Sequence, residues 1–210
     1  MDRVAPPLRH PGLNLADDPR DTRRRFESDV FGFWIFLMSD AVLFALLFAI
    51  YGTMLRGTAG APGPADVFKI GPAFIETLLL LTSSTTFGMA SIALKRDAGA
   101  GALVGWLIVT LGLGLAFLGM EAHDFVTMAA AGATPERSGF LSAFFVLVGM
   151  HGLHVTIGSI WLCVMLLQLA TIGRDRGVKL NLLRLGLFWH FLDVIWIAIF
   201  SVVYLQGLIR

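Results

Sequence analysis

Apolar residues fall in five long runs, at roughly 30–54, 70–94, 100–122, 139–169 and 186–208, with short polar stretches between them. Each run has about the ~20 residues that an α-helix needs to cross a ~30 Å hydrocarbon layer. Residues 139–168, GFLSAFFVLVGMHGLHVTIGSIWLCVMLLQ, carry no formally charged side chain. At ~1.5 Å per residue that stretch more than spans the layer. The pattern predicts an all-α integral membrane protein, a five-transmembrane-helix bundle occupying residues 30–210. The linkers are short and carry Gly and Pro (RGTAGAPGPAD), so successive helices are expected to be antiparallel neighbours. No internal repeat is visible. Residues 1–29 hold four of the eight prolines and six arginines, which predicts a solvated, weakly ordered tail.

Small residues mark where helices are expected to meet. Gly149, Gly152, Thr156, Ser159 and Cys163 recur every three or four residues along the fourth run, on one stripe. Gly105, Gly112, Ala116 and Gly119, spaced by seven, four and three, form a stripe on the third. Such stripes let helix backbones approach closely, which is what holds helices together in lipid.

Charge sets the expected orientation. The tail (Arg3, Arg9, Arg20, Arg23, Arg24, Arg25), the second loop (Lys95, Arg96) and the fourth (Arg174, Arg176, Lys179, Arg184) hold twelve basic residues on one side. Arg56, Lys69, Arg137 and Arg210 make four on the other. The positive-inside rule then places the N-terminus in the cytoplasm and the C-terminus in the periplasm.

Composition agrees with a membrane protein: 56% of the 210 residues are hydrophobic and 15% charged, where soluble domains carry about a quarter charged. Net charge +1 points to no nucleic-acid surface. A single cysteine, Cys163, forms no internal disulfide and no multi-cysteine metal site. The first apolar run begins only near Val30 and is long, so no cleavable signal is expected.

Ionisable groups within the runs are the candidate chemistry, because they are costly in hydrocarbon. Asp40 lies near the middle of the first run, so its charge must be paired or the carboxyl carried neutral. Glu76 sits one to two turns inside the second. Glu121, His123 and Asp124 cluster at the end of the third. His151 and His154 are three apart on the fourth, and His190 and Asp193 three apart on the fifth, sharing a face within hydrogen-bonding reach. A proton path, a haem site or a metal site is one way to use them; hydrogen bonds to neighbouring helices or lipid are the other. Two ligands to one haem iron would come from different helices, and a metal on His151 and His154 would need a third ligand from elsewhere. The LTSSTT run of the second helix is expected to bond back to its own carbonyls. Trp106, Trp161, Trp189 and Trp196 are expected as belt or packing residues.

Several motifs together give the chain a family likeness. MHGLHVTIGSIW and LFWHFLDVIW, with FGFWIFLMSD, GMEAHDF and ERSGFLSAFF in the same order, resemble subunit III of the haem-copper terminal oxidases from Phe31 to Gly207. Five spans rather than seven, MSD, RSGFLSAFF and IETLLLLTSS are similar to the bacterial cytochrome o ubiquinol oxidase branch. Asp40 stands where longer forms carry a carbodiimide-reactive glutamate.

The resemblance implies a non-catalytic accessory subunit of a proton-pumping terminal quinol oxidase, which oxidises ubiquinol and reduces dioxygen to water in the respiratory chain. It implies a multi-pass protein of the bacterial inner (plasma) membrane, with oxidase subunits I, II and IV as partners. No cofactor is expected on this chain: haem and copper belong to subunit I. Bound phospholipid is expected in a cleft between the family's first two helices and the rest. Asp40, Glu76, Glu121, His151, His154, His190 and Asp193 are carried over as the intramembrane polar set, serving interhelical hydrogen bonds and lipid headgroups. Asp40 is expected to be a protonatable group facing the cleft. Five histidines, with His10 in the tail and His123 at a membrane edge, are too few for the six-histidine subunit I, and one cysteine too few for a copper-bearing subunit II. Subunit III of a cytochrome c oxidase and a di-haem membrane anchor remain alternatives.

Overall fold

In the computed structural model, described for residues 20–60, 63, 70–96 and 99–205, the chain is helical, with no strand among the described residues. The helices are α1 (Arg20–Met54), α2 (Ile70–Lys95), α3 (Ala100–Ala130), α4 (Gly139–Thr171) and α5 (Arg176–Ile199). A single 3-10 turn, Pro135–Arg137, precedes α4, and α5 runs directly into a π-helical end, Phe200–Leu205. All five are long and apolar enough to cross a membrane.

The helix ends follow local chemistry. Ser138 caps α4 by accepting from Leu141 N at 3.1 Å, and Asp175 accepts from Gly177 N ahead of α5. Gly173, at φ +81°, turns the chain after α4, and its N–H returns to Gln168 O at 3.2 Å. A side chain would resist that left-handed turn; glycine does not.

Several boundaries differ from expectation. The helix of α1 starts ten residues before the apolar run, inside the stretch expected as tail; residues 1–19 lie outside the described residues. α3 continues eight residues past 122, to Ala130, and α5 begins ten residues before 186. Hydropathy reports the part of a helix that meets hydrocarbon. Backbone hydrogen bonding carries the helix on into polar sequence such as EAHDFVTM.

Packing also corrects the neighbour rule. α2, α3, α4 and α5 close a ring in which each touches the next, and α2 and α3 share the largest interface. α1 instead lies against α4 and α5, so the first two helices are not packed as a hairpin pair. Only 11% of its apolar window is buried, against 44% for α2, which makes α1 a rim helix. Of the first two helices, α1 alone stands apart from the rest; α2 belongs to the ring.

The centre of the ring is organised by Trp189. A Cβ at Gly114 of α3 would stand 2.9 Å from the Trp189 ring, and one at Gly158 of α4 would stand 3.3 Å from it. Gly105 and Gly112, expected as packing residues, face open space and are exposed, because the contact face of α3 runs instead through Leu103, Leu107, Thr110, Gly114 and Phe117. The α4 stripe divides: Gly152 and Ser159 are buried and Gly149 touches Phe125, whereas Thr156 and Cys163 are exposed. Gly114→Val or Gly158→Val should therefore drive Trp189 out of place and cost about 1–3 kcal/mol by overpacking. Gly105→Ala and Gly112→Ala should leave the thermal stability of the isolated chain in detergent unchanged. Equal loss from both pairs would contradict this division.

Candidate functional site

The polar residues form three groups. The first joins α1 to α4. Asp40 Oδ2 lies 3.1 Å from His154 Nε2, with both side chains only about one-eighth exposed. The two atoms are within ion-pair distance, and Asp40 Oδ2 takes part in no aligned hydrogen bond among the described residues. His154 Nδ1 is 2.7 Å from Met150 O, a carbonyl that only accepts, so Nδ1 carries the hydrogen. Nε2 then faces the Asp40 carboxyl group. Asp40 thus turns toward α4 and has a partner there.

The second group joins α5 to α2. Trp189 Nε1 donates to Ser83 Oγ at 3.0 Å, and Trp196 Nε1 donates to Thr77 Oγ1 at 3.1 Å. Ser83, Thr85 and Thr86 do bond back to carbonyls of their own helix, as expected of the LTSSTT run. Two of these hydroxyls also meet other helices: Ser83 accepts from Trp189, and Thr86 and Thr110 Oγ1 lie 2.8 Å apart between α2 and α3. His190 reaches α2 at Ser84, whose Oγ is 2.7 Å from His190 Nδ1. Asp193 Oδ1 has no hydrogen-bond partner among the described residues.

The third group is buried with few partners. Glu76 of α2 is 1% exposed and Glu121 of α3 is 5% exposed. One oxygen of each, Oε1, has no hydrogen-bond partner among the described residues. The Glu121 carboxylate lies directly on Gly152, where an added Cβ would stand 2.8 Å from the carboxylate carbon. Gly152 therefore makes room for an acid as well as a helix. Asp124 and Tyr204 share this electrostatic neighbourhood. His151 is wholly buried, and neither ring nitrogen has a hydrogen-bond partner among the described residues. Its ring instead packs against Trp196 at 5.3 Å, Phe117 at 5.8 Å and Phe44 at 6.4 Å between centroids.

Sequence reasoning missed Thr77, Ser83, Ser84 and Thr86 as receptors, and Trp189 and Trp196 as donors. The signal was present: two tryptophans two turns apart on one helix, and two hydroxyls at nearly the same spacing on another. His151, His154 and His190 do not converge: one is enclosed by aromatic rings, one pairs with Asp40 and one bonds Ser84. No group of three or more His, Cys, Asp or Glu is arranged to hold a metal ion among the described residues.

The family profile described as cytochrome c oxidase subunit III matches residues 25–208. The chain belongs to this family. Among its relatives, cytochrome bo(3) ubiquinol oxidase subunit 3 of Pseudomonas aeruginosa is 48% identical over 178 residues, 85% of each chain. Quinol oxidase subunit 3 of Bacillus subtilis is 43% identical over 180 residues, 86% of this chain and 88% of that one. In this subunit III the polar set is distributed among helix contacts rather than gathered into one centre.

The Glu121–Gly152 contact gives a direct test. Gly152→Ala should displace the carboxylate and cost about 1–3 kcal/mol in unfolding measurements on the purified chain. Adding Glu121→Ala should recover most of that loss, because it removes the colliding group. Equal destabilisation with and without Glu121 would refute the contact.

Proposed function

We propose that this chain is the non-catalytic accessory subunit III of a proton-pumping terminal quinol oxidase in a bacterial inner membrane. The observation that carries the reading is identity of 43–48% over about 85% of the chain to subunits named for quinol oxidases. The internal chemistry supports a scaffold: Asp40, His154 and His190 are taken up by interhelical contacts. The enzyme oxidises ubiquinol and reduces dioxygen to water on subunit I, which holds the haems and copper; subunits II and IV complete the assembly. The N-terminus lies in the cytoplasm and the C-terminus in the periplasm, as the twelve-to-four division of basic residues requires. α1 bounds a lipid-filled cleft, consistent with its rim position and low burial.

Purification of the tagged chain from its own membranes in mild detergent tests this. A multi-subunit complex carrying haem, with quinol-dependent oxygen uptake, is the expected result. The same complex oxidising only cytochrome c would move the chain to the cytochrome c branch of the family. A colourless chain emerging alone would refute the role.

Asp40 keeps α1 seated against His154 of α4. Asp40→Asn preserves size and hydrogen bonding but not charge, so it should leave assembly nearly intact and shorten the enzyme's active lifetime in turnover. Failure of that variant to assemble would make Asp40 purely structural.

A further inference from the structure

A groove of about 190 Å³ opens between α2, α3 and α5. Lys95 in the last turn of α2 and Lys179 in the first turn of α5 mark its interfacial end, and His190 lines its deep end. From Lys179 to His190 is ~16 Å along α5 at the helical rise, and half of a ~30 Å hydrocarbon core is ~15 Å. His190 therefore stands near the bilayer midplane. It is exposed there, although an imidazole facing bare hydrocarbon is costly and polar groups at this depth meet protein, water or a ligand.

Two polar groups in the groove are unused. His190 Nδ1 is 2.7 Å from Ser84 Oγ, which leaves Nε2, and the Ser91 hydroxyl has no hydrogen-bond partner among the described residues. Ser91 follows Ser84 by seven residues, so it lies two turns along the same face of α2, ~10 Å from the imidazole. Apart from the two lysines the rest of the lining is apolar, including Leu103 and Leu107 of α3 and Leu187 of α5. Phe87 is held in place in the wall: its ring stacks on Trp189, with centroids 6.4 Å apart, and stands edge to face with His190 at 6.0 Å. Gly186 leaves it that place, since an added Cβ would stand 2.8 Å from the Phe87 ring.

This lining calls for a flat apolar body with hydrogen-bonding atoms on opposite sides. A hydrocarbon chain would leave Nε2 and the serine hydroxyl unsatisfied, and water would leave the leucine walls wetted. The para oxygens of a benzoquinone ring, with a ~2.8 Å hydrogen bond at each, bridge partners roughly 11 Å apart. An imidazole also suits both redox forms of such a ring. For a quinone, Ser84 donates to Nδ1 and Nε2–H donates to the ring carbonyl. For a quinol, the ring hydroxyl donates to Nε2 and Nδ1–H donates to Ser84.

We propose that this groove holds the ring of a quinone or quinol, with one ring oxygen on His190 Nε2, the other on Ser91, and the ring against Phe87. Such a site rests on the quinol-oxidase reading and keeps the substrate apart from its oxidation on subunit I. The isoprenoid tail leaves past the exposed Leu187 into the bilayer.

The test is photolabelling of the intact complex, purified in mild detergent, with an azido-substituted ubiquinone, followed by peptide mass spectrometry. Label is expected within residues 83–95 and 179–191 of this chain, and excess decylubiquinone should suppress it. His190→Leu should lower labelling at subsaturating probe roughly fivefold, the loss of one hydrogen bond. His190→Gln separates ligand binding from packing, because its amide nitrogen replaces Nε2 but not the Nδ1 that meets Ser84. Labelling close to wild type in the Gln variant is the expected result; equal loss in both variants would make His190 a packing residue and refute the site. Ser91→Phe, which fills the groove, should abolish the label while haem content and thermal midpoint stay unchanged. Label that decylubiquinone does not suppress would reflect partitioning into detergent and overturn the proposal. Label confined to the partner subunits, in a complex that still oxidises quinol, would also overturn it and leave the proposed function standing. A complex that oxidises only cytochrome c would sink both.

Discussion

Trp189 is the side chain through which the four ring helices are held in one arrangement. It projects from α5, donates to Ser83 of α2, stacks on Phe87 and occupies the space left by Gly114 of α3 and Gly158 of α4. Lipid tails are as apolar as leucine, so no hydrophobic drive brings these helices together. Close fit and hydrogen bonding must do so instead. A flat indole against two glycines supplies the fit, and its N–H supplies direction. Trp196 repeats the hydrogen bond two turns further along α5, which fixes the register of α5 on α2.

The polar groups follow the same logic. Hydroxyls on α2 satisfy their own helix and still accept from α5, so a modest Ser and Thr content ties together three helices. Asp40 and His154 face each other at 3.1 Å where α1 rests on α4. Glu76, Glu121 and His151 depart from the rule, for they are deeply buried yet sparsely bonded. Burial of this kind is costly and argues that their surroundings, not their partners, determine how they behave.

Much of this fold was legible in the sequence because hydropathy and span length are set by the bilayer itself. The family likeness was legible because MHGLHVTIGSIW and LFWHFLDVIW carry the residues that meet at the ring centre. What could not be read was which face of each helix turned inward. Gly105 and Gly112 formed a convincing stripe, but α3 presents Gly114 to the bundle, two residues out of that pattern. A helix apolar all round gives periodicity nothing to grip. Neighbour relations failed for a related reason: short linkers suggest hairpins, yet α1 packs on α4 and α5.

That placement of α1 has a consequence for how the protein is made. Asp40 emerges from the ribosome 114 residues before His154. At 5–20 residues per second the interval is roughly 6–23 s. During it the carboxyl must enter the membrane without the imidazole it later faces. The contact that seats α1 on α4 therefore forms only when α4 arrives. Biogenesis of this chain is in that sense completed from the far end backwards.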